Sequence, residues 1–220
     1  MTKQIHQSSH DPAHHPADVP ADFSVVSSQS IYEGRFMGLR EDEVRMPGGG
    51  SAVRQVLEHT GAVGVVALDG DGRVVLIRQY RHPVGRRLVE LPAGLLDVPG
   101  EPADQTARRE LAEETGLRAA TWHVLVDLYT SPGISEEAVR VYLARDLSEV
   151  PEVERHRGVE EETDLDVHRV PLDQAVESVF TGDVQNSIAV AGLLAAAYAR
   201  DRDWAPLRPV DAPWPARPDR

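Results

Sequence analysis

The sequence predicts an α+β protein, and three observations carry that prediction. Two near-continuous apolar runs, GAVGVVALD and RVVLIRQYR, flank an Asp-Gly-Asp-Gly turn and read as strands buried on both faces. A carboxylate-rich stretch that follows a glycine loop, with Pro102 in its first turn and Gly116 at its end, reads as a helix between strand-like segments. Three short strand-like runs near the N-terminus add a further, antiparallel β segment.

Taken in order, residues 1–22 are rich in proline, histidine and polar residues without periodicity, and are expected to be a disordered tail. His6, His10, His14 and His15 lie there without a cysteine partner or a fixed scaffold, so a metal site is not expected. Residues 23–58 hold the runs SVVSSQSIYEG, FMGLREDEVRM and AVRQVLEH, the last two separated by Pro47 and three glycines. Three strands of this length are marginal alone, so they must pack on the main domain or on a second copy of it. The main domain is expected over residues 59–200. It opens with a hairpin through Asp69-Gly70-Asp71-Gly72 and continues with the strand RRLVELPAG. After the acidic helix come two strand-like runs, WHVLVDLYTSPG and EAVRVYLARDL, and then a very acidic loop over residues 151–164. VHRVPLDQAVESVFTG reads as a strand and a short helix, and residues 186–200 as an Ala-rich helix capped by Asn186 or a near neighbour. Residues 201–220 contain several prolines and are expected to dock or fray.

The composition excludes several function classes. The 220 residues include no cysteine, which removes disulfides, a thiol nucleophile and Cys-ligated zinc. A net charge of −13 argues against nucleic acid as the main partner and makes an anionic substrate depend on local positive charge or metal. No apolar run has the length needed to span a bilayer, and no signal-peptide core is present, so a cytoplasmic protein without a membrane partner is expected.

The chemistry centres on Glu110, Glu113 and Glu114. At 3.6 residues per turn these carboxylates share one helix face, where like charges repel by roughly a few tenths of a kcal/mol per pair. A divalent cation would offset that repulsion, and oxygen ligands suit Mg²⁺ or Mn²⁺ better than zinc. An isolated glutamate run is most often a solvated face. Here the surroundings argue otherwise. Pro102 suits the first turn of a helix, Gly116 suits the helix end, and Leu91, Leu95, Leu96, Leu111 and Leu117 supply apolar anchors.

Gly94, Glu101, Arg109, Glu110, Leu111, Glu113, Glu114, Gly116 and Leu117 together resemble the signature of the Nudix hydrolases. The family pattern is Gly, five residues, Glu, seven residues, Arg-Glu, an aliphatic, one residue, Glu-Glu, one residue, Gly, an aliphatic. One departure stands out: six residues separate Gly94 from Glu101, the extra one lying around Val98-Pro99-Gly100. It bears on the placement of Glu101 and leaves the helix intact.

The resemblance implies an α/β/α sandwich with a mixed central sheet and metal-dependent hydrolysis of a diphosphate. Glu110 and Glu114 are the first-choice metal ligands, with the backbone carbonyl of Ala93 as a further one. Glu113 adds a ligand or holds a water. Arg109 pairs with a signature carboxylate such as Glu101 and fixes its orientation. In the subgroup that cleaves ADP-ribose, the general base is a Glu on a loop well after the signature; Glu160, Glu161 and Glu162 qualify here, Glu162 first and Glu161 next.

Pro132, sixteen residues after Gly116, is a mark of that subgroup, and RQYRHPVGRRLVELPAG strengthens it. By the same resemblance Arg81 and Glu90 contact substrate, and Arg54 and Arg87 are further phosphate or ribose contacts. Phe36 or Tyr32 of the N-terminal segment stacks on adenine, from either subunit of a homodimer that exchanges this segment. The expected reaction converts ADP-ribose to AMP and ribose 5-phosphate. Two rivals remain open: another nucleoside diphosphate compound as substrate (a nucleotide sugar, a diadenosine polyphosphate or NADH), and a non-catalytic ligand sensor. The intact carboxylates and the lack of a basic segment count against the sensor, and the net charge counts against RNA as substrate.

Overall fold

In the computed structural model, which describes residues 17–21, 23–154 and 165–217, the chain opens on a separate antiparallel sheet. Strands β1 (Val25–Glu33), β2 (Met37–Arg45) and β3 (Ser51–His59) pair in that order, with β2 in the middle. These are the three strands expected from the sequence. β1 is exposed along its whole length. Of the expected N-terminal tail, residues 1–16 and 22 lie outside the described residues.

The next two strands correct an expectation. β4 (Ala62–Ala67) and β5 (Arg73–Arg81) are joined by the tight turn foreseen, in which Gly72 N–H donates to the Asp69 carbonyl at 3.0 Å. The Asp69 carboxylate accepts the amides of Asp71 and Arg73 at 3.0 and 2.9 Å. Yet the hairpin ends after one bridge, Leu68 to Val74, and the strands part into different sheets. The physical reason lies in their composition. Strands apolar on both faces are not bound to each other by a hydrophobic-in, polar-out pattern, and each is buried in its own layer.

Downstream lie β6 (Arg86–Glu90), β7 (Ala93–Leu95), α1 (Ala103–Thr115), β8 (Leu117–Tyr129) and β9 (Ala138–Glu149). β10 (Asp166–Pro171), α2 (Leu172–Phe180), α3 (Ser187–Arg200) and the short β11 (Arg208–Pro209) follow. One sheet has the order β11-β8-β9-β4-β7 and a second the order β10-β5-β6. β4 runs parallel to β9 and antiparallel to β7, so the five-stranded sheet is mixed.

Alternation along β4 builds two apolar layers, because successive side chains point to opposite faces. Val63, Val65 and Ala67 join Ala103, Ala107 and Leu111 of α1. Ala62 and Val66 join Leu172 and Ala175 of α2 and Leu193 and Ala196 of α3. The result is an α/β/α sandwich. Helix α3 lies very close to the sheet: a Cβ at Gly192 would come within 2.7 Å of Leu91 and 3.1 Å of Val66. The N-cap of α3 is Asn186, whose side chain accepts the Ala189 amide at 3.0 Å.

The C-terminal segment docks, and more deeply than a tail would. Trp204 and Leu207 pack on the α2–α3 side, and Val210, Ala212 and Trp214 on the α1 side. Arg140, only 3% exposed, holds it there. Its guanidinium donates to Asp127 at 2.7 and 3.0 Å and to the carbonyls of Ala212 and Pro213 at 2.6 and 2.9 Å. Among the described residues no helix is long and apolar enough to cross a membrane.

Candidate active site

Helix α1 buries Ala103, Thr106, Ala107 and Leu111, which turns its glutamates toward the loop after β6 and toward β7. The helix starts right after Pro102, which is its N-cap, and ends at Gly116 in the left-handed region, φ 67°.

Arg109 is the hub of the carboxylates. Its Nη1 donates to Glu110 at 2.6 Å and to Glu113 at 3.3 Å. Its Nε and Nη2 donate to the two oxygens of Glu101 at 3.3 and 3.1 Å, and Thr106 Oγ1 donates to Glu101 at 2.8 Å. The hydrogen bonds from Arg109, aided by Thr106, hold the Glu101 carboxyl below its ordinary range against the opposing effect of burial. The extra loop residue before Glu101 has therefore been absorbed. Mutual repulsion of the glutamates, taken from the sequence as a reason for a bound cation, is in part relieved by Arg109 itself.

The shared face also divides. Glu113 turns to Arg109, while Glu110, also bonded to Arg109, and Glu114, one turn apart, lie against the backbone of β7. Ala93 N–H donates to Glu114 Oε2 at 2.9 Å. A Cβ at Gly94 would overlap the Glu110 carboxylate, so only glycine leaves room for it. Among the described residues no three acidic or histidine side chains are grouped as a ready-made metal cluster. The glycine cradle and the oxygen-only donors nevertheless fit a hard divalent cation held by Glu110 and Glu114.

The other expected residues fall in three places. Arg54 on β3 and Pro132 on the β8–β9 connection line one cleft of about 490 Å³, with Gln55 and Val56 on the β3 side and Tyr129 and residues 133–136 opposite. Arg81 and Glu90 bond to each other across β5 and β6, Nε to Oε1 at 2.9 Å and Nη2 to Oε2 at 2.6 Å. Glu90 is 2% exposed, so this fork anchors Arg81 from below. Arg87 is exposed on β6 opposite Tyr80. Phe36 lies at the β1–β2 turn under the Arg35 guanidinium, 4.8 Å from the ring centre, in a separate hollow lined also by Glu33, Glu58 and Thr60. Tyr32 is exposed on β1. Glu160, Glu161 and Glu162 lie outside the described residues. Thr106, which braces Glu101, escaped the sequence reading because a threonine inside a helix carries no signal of its own.

A family model for the Nudix domain matches residues 58–187, and one for the nucleoside diphosphate sugar hydrolase N-terminal domain matches residues 24–57. The chain belongs to the Nudix family. This Nudix chain is 52% identical over 196 residues to the ADP-ribose pyrophosphatase of Mycobacterium tuberculosis, covering 89% of this chain and 93% of that protein. The ADP-ribose pyrophosphatase of Bacillus subtilis is 35% identical over 162 residues, 74% of this chain and 85% of that one. A crystal structure described as an ADP compounds hydrolase superposes with a TM-score of 0.70 at 21% identity, over 86% of this chain and 100% of that one, which establishes the shared fold.

Proposed function

We propose that this Nudix protein is an enzyme that hydrolyses the diphosphate bond of ADP-ribose, one water giving AMP and ribose 5-phosphate. The observation that carries the reading is the 52% identity to an ADP-ribose pyrophosphatase across nearly the full length of both chains. The intact signature, with Glu110 and Glu114 laid against β7, supports it.

In this reading Glu110, Glu114 and the Ala93 carbonyl would hold Mg²⁺ or Mn²⁺, and Glu113 would add a ligand or hold a water. When bound, such a cation neutralises diphosphate charge and lowers the pKa of a water. Arg109 keeps Glu101 ionised and orients Glu110 and Glu113. Glu162, or failing it Glu161, takes the proton from the attacking water. Arg54, Arg81 and Arg87 meet phosphate and ribose oxygens, Arg81 steadied by Glu90. Phe36 or Tyr32 stacks on the adenine. The chain divides into the tail (residues 1–22), the N-terminal sheet (23–58), the catalytic domain (59–200) and the C-terminal segment (201–220). The N-terminal sheet pairs with that of a second copy, and the protein works in the cytoplasm.

A nucleotide sugar is the second reading, favoured by the description of the family model over residues 24–57. Chromatography of products from ADP-ribose and a panel of sugar nucleotides, with and without Mg²⁺, separates the two. AMP and ribose 5-phosphate formed fastest from ADP-ribose, and only with metal, is the expected result. Faster cleavage of a sugar nucleotide would replace the substrate and keep the site.

A further inference from the structure

The two walls of the Arg54–Pro132 cleft come from different parts of the chain, β3 and the β8–β9 connection. Something must hold them at a fixed separation. Two backbone bonds do part of this: Leu57 N–H donates to the Ile134 carbonyl at 2.8 Å, and Glu136 N–H to the Leu57 carbonyl at 3.2 Å. His59 at the end of β3 also lies 3.5 Å from the Glu137 carboxylate, and a further tie comes from Arg40, on the neighbouring strand β2. Its Nε donates to Asp42 at 3.0 Å, and its Nη1 donates to Glu58 at 3.1 Å and to Glu136 at 2.8 Å. Asp42 is nearly buried and is braced in turn by Ser28 Oγ at 2.7 Å. One guanidinium thus gathers carboxylates from β2, from β3 and from the loop that carries Pro132.

We propose that Arg40 is a positioning residue of the substrate cleft, clasping the loop of residues 130–137 to the N-terminal sheet so that the walls stay set for a nucleoside diphosphate. This deepens the proposed function and rests on it. Arg40 does not line the cleft and reaches its lining through Glu136. Without its charge, Asp42, Glu58 and Glu136 would lose the cation that they share, and like charges this close push apart. Glu136 would swing outward and the loop would loosen at its β3 seam. Lysine would keep the charge but not the planar fork that serves several carboxylates at once.

The test pairs kinetics with amide exchange. Arg40→Gln should raise KM for ADP-ribose about tenfold, the size expected for losing one charged hydrogen bond, while kcat changes much less. Exchange at the Leu57 and Glu136 amides should quicken. Arg40→Lys should restore part of both, and Glu136→Gln should reproduce the KM rise, with no further rise in the double variant. Unchanged KM or unchanged exchange in folded Arg40→Gln would overturn the clasp, as would a fall in kcat at constant KM. Should Arg40→Gln fail to fold, Glu136→Gln carries the same two readouts. If the wild-type protein leaves ADP-ribose uncleaved, the proposed substrate falls, and amide exchange still judges the clasp.

Discussion

At the scale of single residues, the site is defined by what the backbone of β7 permits. Glu110 fits only because position 94 has no side chain, and Glu114 is aimed by the Ala93 amide. Gly94→Ala should therefore displace the Glu110 carboxylate while leaving the core beneath α1 untouched. We expect metal affinity to fall by about tenfold or more, read by calorimetric titration, with little change in melting temperature. An unaltered titration would remove Glu110 from the metal site. Glu114→Gln keeps the shape and the acceptor for Ala93 N–H but removes the charge. Metal-dependent turnover should drop by roughly a hundredfold, and near-normal turnover would refute the ligand assignment. The residue pattern made these glutamates legible, since their spacing and the glycine before them survive in one dimension. It did not reveal that Arg109 would bind Glu101, Glu110 and Glu113 together, because a hub is a matter of side-chain direction and not of spacing.

At the scale of elements, the strands and helices with strong local signals formed where the sequence placed them. Asn186 is an instance: an amide-bearing side chain before an Ala-rich run satisfies an orphan N–H of α3. Asn186→Ala should lower stability by about 1 kcal/mol in urea unfolding, without change in KM. A loss near zero would mean that packing at Gly192, not the cap, fixes the helix start. Pairing was less legible than existence. The turn at Asp69–Gly72 formed, yet its strands parted, because the sequence shows that each strand is apolar and not which layer each will fill. The C-terminal segment was harder still. Its prolines read as a tail, and the partner that decides its fate, buried Arg140, lies far upstream in β9.

At the scale of the whole molecule, two consequences follow from charge and exposed apolar surface. Asp42, Glu101 and Asp127 are all held below the ordinary carboxylate range. Ser28 and Arg40 do this for Asp42 and Arg109 for Glu101, while at Asp127 burial opposes the shift and the bonds from Arg140 and Arg208 outweigh it. Each folded group binds its proton less readily than in the unfolded chain, so its contribution is complete above about pH 5 and is lost as pH falls through the depressed folded values. Denaturant midpoints should be flat from neutral pH to that point and then decline; a midpoint that improves on acidification would contradict the shifts. The N-terminal sheet carries the second consequence. Val25, Ile31, Tyr32 and Val53 are each more than half exposed, on a three-stranded sheet that would be marginal by itself. A second copy of the same sheet is the simplest cover, since self-complementary interfaces close on a two-fold axis. Sedimentation equilibrium should accordingly give twice the 24.1 kDa of one chain. Val53→Glu with Ile31→Glu should shift it to the single-chain mass, because a buried unpaired carboxylate opposes association strongly. If the wild-type protein sediments as one chain, the exposed sheet is not a dimer interface, and the proposed exchange of this segment between subunits falls with it.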